Sequence, residues 1–140
     1  MNNLFGLCLV LSILLPACAP TDPPELRIHW LHTEDLGSFG RSDVGVNAIY
    51  YNLDADDQLW ELRPNDFRVV MGNDELPPSR YSVAFVSPDL VEVRFTRPLD
   101  TPAHVTLAAM IAVEPCLADN GDPGLRSISR SGYRGECWMD

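Results

Sequence analysis

The chain contains no lysine: all ten of its basic residues are arginine, set against twenty carboxylates for a formal net charge of −10. So acidic a balance argues against nucleic acid as a partner and against docking on anionic lipid through basic side chains. It suits basic proteins or cations instead. Cysteine is scarce, limited to Cys8, Cys18, Cys116 and Cys137. Beyond the N-terminal segment there is no apolar run of the roughly 20 residues that a membrane-spanning helix requires. Catalytic signatures are missing as well: there is no G-x-S-x-G, no H-E-x-x-H and no nucleophilic-cysteine motif. The histidines are His29, His32 and His104. On a strand, His29 and His32 would face opposite sides, which spoils them as a shared metal pair. A nucleophile needs a base in reach and an orienting acid, and no such set is visible, so the expectation is a protein that is not an enzyme.

What is present begins at the N-terminus. Residues 4–15 (LFGLCLVLSILL) are apolar or small, the length of a signal-peptide core and too short to cross a bilayer. They close on Leu15-Pro16-Ala17-Cys18, which resembles the lipobox at which bacterial signal peptidases cut before a lipid-modified cysteine. The resemblance implies a signal peptide over residues 1–17 and a membrane anchor on Cys18. An ordinary secretory signal cut near Ala17 or Ala19 is the alternative. By resemblance to Gram-negative lipoproteins, Ala19 after the cysteine favours the outer over the inner membrane. Residues 18–24 then form a lipidated, Pro-rich tether whose six spacer residues reach at most about 20 Å. The chain is expected in the cell envelope, extracytoplasmic and lipid-anchored. Cys8 leaves with the leader and Cys18 takes the lipid, so Cys116 and Cys137 remain as one expected disulfide.

The rest reads as strand after strand. Leu26, Ile28 and Trp30 alternate with Arg27, His29 and Leu31; Val44 to Leu53 is rich in β-branched and aromatic residues. Phe67, Val69 and Met71 alternate with Arg68, Val70 and Gly72. Tyr81, Val83 and Phe85 do likewise, as do Val91, Val93 and Phe95, and then Val105 through Val113. This period of two is the mark of antiparallel strands packed on one face. Gly72-Asn73-Asp74, Pro77-Pro78 and Ser87-Pro88-Asp89 supply turns. No helix is expected beyond a turn within Asp54 to Leu62. The fold class is therefore all-β: an Ig-like antiparallel β-sandwich over residues 25–115, with a small β-barrel as the alternative. Residues 116–140 read as a disulfide-stapled C-terminal extension, a closed loop or hairpin.

Val46 to Phe67, with a strand ending near Asn52, an acidic loop and then Leu62 and Asn65-Asp66-Phe67, resembles the uncharacterised Ig-like domains of many bacterial lipoproteins. Val91 to Leu99 is similar to the late strands of bacterial Ig-like surface modules. The resemblance implies the sandwich fold and says little about activity.

Two groups of residues are candidates for recognition. Asn52, Asp54, Asp56 and Asp57 gather oxygen ligands on one loop, the donor type that Ca²⁺ takes. The EF-hand pattern fails there, with Asp57 where Gly belongs and Arg63 where the bidentate Glu belongs. In the tail, Arg126, Arg130 and Arg134 lie near Tyr133 and Trp138, the composition of interface hot spots. The opposing expectation is a solvated tail whose arginines offset nearby carboxylates. The functional expectation is a non-enzymatic binding or accessory module for an envelope protein. The alternatives are a Ca²⁺-dependent or small-ligand module and an inhibitor of a basic cell-wall hydrolase.

Overall fold

The computed structural model describes residues 23–39, 45–100 and 104–139. The expected leader, the expected lipidation site at Cys18 and most of the expected tether lie outside the described residues. Of those described, 59% are strand and 9% helix, arranged in two antiparallel sheets, one curled as a half-barrel. The all-β sandwich expected from the alternation is the observed fold.

The strands are β1 (Glu25–Trp30), β2 (Thr33–Phe39), β3 (Val46–Leu53), β4 (Phe67–Met71), β5 (Asp74–Glu75), β6 (Tyr81–Phe85), β7 (Leu90–Leu99), β8 (Val105–Leu117) and β9 (Pro123–Ile128). A helical turn, α1 (Ala55–Gln58), follows β3, and 3-10 turns at Pro64–Asp66 and Pro78–Arg80 precede β4 and β6. The first sheet runs β1-β8-β4-β5, with β9 also paired to β8; the second runs β2-β3-β7-β6. Period-two patterning decides which side chains meet between them. Ile49, Tyr51 and Leu53 of β3 and Val91, Val93 and Phe95 of β7 are buried from one side. Phe67, Val69, Leu107, Ala109, Ile111 and Val113 close on them from the other. Phe67 and Phe85 meet edge to face across the sheets, with ring centroids 5.5 Å apart. Tyr51 donates its hydroxyl to the Val105 carbonyl at 3.1 Å, tying β3 to the start of β8. Burial, followed by the charge of Asp35, pushes the Tyr51 phenol well above its ordinary range.

β8 is the common partner in the first sheet. Its residues Val105–Ala109 pair with β4, Ala108–Val113 with β1, and Ala112–Leu117 with β9. The tail is thus built into the sheet as a hairpin strand. Cys116 and Cys137 form the expected disulfide, with S–S 2.01 Å and Cα atoms 6.0 Å apart.

Two differences from the alternation are instructive. β2, β5 and β9 carry too few apolar residues to show a period, and pairing alone makes them strands. β1 shows the period but wears it inside out. Leu26, Ile28 and Trp30 are 66%, 51% and 56% exposed, while Arg27 and His29 lie on the half-buried face. The register explains this: Leu26, Ile28 and Trp30 stand opposite Ala112, Met110 and Ala108 of β8, whereas His29 stands opposite Ala109 of the core. The parity of a strand is all or none, and His29 is drawn inward by a buried carboxylate described below.

Phe67→Ala should therefore cost about 3–5 kcal/mol. Ile28→Ala should stay within about 0.5 kcal/mol, as an exposed site does. Urea unfolding of the oxidised protein measures both, and a large loss at Ile28 would contradict the outward face of β1.

Candidate functional site

The chain between β3 and β4 is acidic, and it forms the helical turn α1, then Trp60, then a 3-10 turn at Pro64–Asp66. Asp54 precedes α1, and Asp56 and Asp57 lie in its first turn, where carboxylates suit the exposed N–H groups. The turn is tied down by backbone bonds: Asp54 N–H donates to the His32 carbonyl at 2.9 Å and Leu53 N–H to that of Asp89 at 2.7 Å.

Asp57 is 1% exposed, the one buried carboxylate among the described residues. Its two oxygens are each claimed. The His29 ring N–H at Nε2 donates to Oδ1 at 2.9 Å, and the His32 backbone N–H donates to Oδ2 at 2.5 Å. His32 Nδ1 lies 3.6 Å from the same Oδ2, and the two imidazoles stand 6.4 Å apart, nearly perpendicular. The histidines thus converge, contrary to the opposite-faces expectation, because β1 ends at Trp30 and only His29 is on the strand. They converge on a carboxylate, which makes the trio a latch between β1 and α1. Among the described residues, no three His, Cys, Asp or Glu side chains are placed to hold a metal ion. The Ca²⁺ candidates are split: Asn52 and Asp54 line a separate depression of about 550 Å³, while Asp57 is turned inward.

The tail arginines are also engaged. Arg126 and Arg134 both donate from Nε to Oε1 of Glu114 on β8, at 2.7 and 2.6 Å. Arg130 donates to the Glu61 carbonyl at 2.8 Å and to Asp66 Oδ1 at 2.9 Å, and Ser131 N–H donates to the Glu61 carboxylate at 2.7 Å. Glu61 has φ of 52°, a left-handed conformation that side chains disfavour and that these contacts hold in place. The arginines therefore offset carboxylates, though not the neighbouring ones that sequence proximity offered. The hydrogen bond from Arg134, and then that from Arg126, holds the Glu114 carboxyl below its ordinary range. Burial raises that of Asp66, but the bonds from Arg130 and the Arg63 N–H outweigh it and lower it overall.

Between the latch and the anchored tail lies a cleft of about 430 Å³, within the size range of small-molecule sites. Trp60 and Tyr133 contribute rings with centroids 6.1 Å apart and planes tilted by 50°, and Trp138 lines the cleft with them. Asp56 and Glu136 add carboxylates, and His29 and His32 the latch side. Gly135 is required for this arrangement, since a Cβ there would sit 2.4 Å from Cη2 of Trp60. Ser127 also lines the cleft; it is 1% exposed, and its Oγ has no hydrogen-bond partner. A buried hydroxyl without a partner is rare and calls for a reason.

No family model, curated protein or solved structure matches the chain. The likeness to Ig-like lipoprotein domains accordingly stands as a two-sheet β architecture.

Of the residues proposed for recognition, Tyr133 and Trp138 line the cleft, while Arg126, Arg130 and Arg134 hold its tail wall. Trp60, Ser127, Gly135 and Glu136 were not singled out beforehand. The one available signal was Trp60, a large aromatic in an acidic loop that no strand pattern accounts for.

Two outcomes are expected. Asp57→Ala should cost about 1–3 kcal/mol by orphaning the His32 N–H, and Asp57→Asn clearly less; thermal or urea unfolding gives both. The Glu114 contribution is present above its unfolded value near 4.5 and lost as pH falls through its lowered folded value. Tail signals followed by NMR should therefore hold as pH falls through the ordinary glutamate range and shift only below it, and Glu114→Gln should abolish that acid step.

Proposed function

We propose that the chain is a lipid-anchored, extracytoplasmic binding module that captures an envelope partner in the cleft between α1 and the C-terminal tail. The cleft carries the reading. Aromatic rings on two separately anchored segments form a pre-organised concave surface, which lowers the entropic cost of binding. A buried hydroxyl without a hydrogen-bond partner belongs to Ser127, one of the residues that line the same space. The His29–Asp57 pair, the group that acid–base chemistry would draw on, has its carboxylate engaged on both oxygens by structural donors. This supports binding over catalysis.

Location rests on the sequence. The Leu15-Pro16-Ala17-Cys18 motif supports acylation at Cys18, and the Cys116–Cys137 disulfide fits an oxidising compartment. A spacer of about 20 Å would keep the cleft near the membrane, so the partner would be sought there.

Intact mass of the protein from the membrane fraction should equal residues 18–140 plus acyl chains, and reduction should add two hydrogens. An unacylated mass would remove the anchor from this reading. Trp60→Ala or Trp138→Ala, folded and anchored as before, should weaken capture by about thirty-fold, the effect of a central hot-spot residue. Undiminished capture in both would place the binding surface elsewhere.

A further inference from the structure

We infer that the cleft is a receptor for an organic cation bearing N–H groups, a protonated amine or guanidinium such as a lysine or arginine side chain of a basic partner. This rests on the binding-module reading and names its ligand class.

Five observations converge on it. The rings of Trp60 and Tyr133, 6.1 Å apart between centroids, allow one cation to lie within about 6 Å of both, the reach of a cation–π contact. The carboxylates of Asp56 and Glu136 line the cleft, that of Asp57 is engaged by His29 and the His32 N–H, and no arginine is among the lining residues. The tail's own arginines are held away: Arg126 and Arg134 by Glu114, and Arg130 by Asp66. The surrounding field is that of a chain with net charge −10, which steers cations toward it.

The fifth observation sets which cation. Ser127 Oγ, buried and unpartnered, offers lone pairs to an N–H donor. A quaternary ammonium ion has no N–H to give it. An ammonium has three and a guanidinium five, enough to reach the hydroxyl and a carboxylate together while the aromatic faces cover the rest. An anion would meet the carboxylates of Asp56 and Glu136. A neutral ligand would leave the charge of Asp56 and Glu136 unanswered.

The test uses the folded, disulfide-intact protein with n-butylguanidinium as probe and n-butylurea as its neutral isostere. The indole N–H signals of Trp60 and Trp138 should shift saturably with the cation while that of Trp30, outside the cleft, stays fixed. Butylurea should bind at least about tenfold more weakly, and Trp60→Ala should weaken the cation by a similar factor. Should Trp60→Ala unfold the domain, Glu136→Gln, a conservative change at the rim, should still lower affinity severalfold. Ser127→Ala should weaken butylguanidinium but leave tetramethylammonium unaffected. Equal binding of butylurea, or saturation by a neutral oligosaccharide in place of the cation, would overturn the cation assignment and leave the binding-module reading intact. Absence of any saturable indole shift with butylguanidinium would also overturn it. Failure of the anchor is read separately, from the intact mass.

Discussion

A strand in the middle of a sheet has to satisfy backbone donors and acceptors along both edges, and β8 does this with three partners. β4 takes its first residues, β1 its middle and β9 its end, so one thirteen-residue strand sets the register of most of the first sheet. Its side chains extend that control. The inward row from Leu107 to Val113 supplies a quarter of the core among the described residues. Past the core, Glu114 gathers Arg126 and Arg134, and Cys116 closes covalently on Cys137. A tail that is polar and glycine-rich could not bury enough apolar surface to order itself. Hung from β8 by strand pairing, two ion pairs and a disulfide, it becomes a fixed wall.

The facing wall is held by different means. Asp57 is a buried carboxylate, costly unless every oxygen has a donor, and both donors come from the end of β1 and its connector. That requirement decides the orientation of the whole of β1. With His29 turned inward, Leu26, Ile28 and Trp30 have to face out. A polar contact at one residue thus overrides the hydrophobic preference of three, which an edge strand tolerates because it covers only the rim of the core.

Charge is partitioned by the same contacts. The three tail arginines sit on the outside of the tail against Glu114, Asp66 and Glu61. The cleft between the walls keeps its carboxylates and aromatic rings with no arginine among the lining residues. Arg130 also ties the tail to the loop that carries Trp60, so the two walls are braced to each other. Such bracing favours a recognition surface that is formed before its ligand arrives.

Much of the fold was legible in the sequence, because period-two burial leaves a direct trace. The core faces of β4, β6, β7 and β8 could be read from alternation, and β3 from its β-branched and aromatic composition. The disulfide followed from cysteine arithmetic, since only Cys116 and Cys137 remain once Cys8 and Cys18 are assigned to the leader and the anchor. The aromatic members Tyr133 and Trp138 were visible as an oddity of composition in a polar tail. What alternation cannot carry is the sign of a face at an edge, and β1 shows the apolar period with the opposite face inward. Nor can it carry pairings between distant polar groups. Asp57 meets His29 across 28 residues, and Arg130 meets Asp66 across 64. Trp60 comes to rest on Gly135 only because the packed sheets bring their loops together. Hydrophobic burial is set residue by residue and is written locally. The cleft depends on which polar groups meet once burial is complete, and only the tertiary structure decides that.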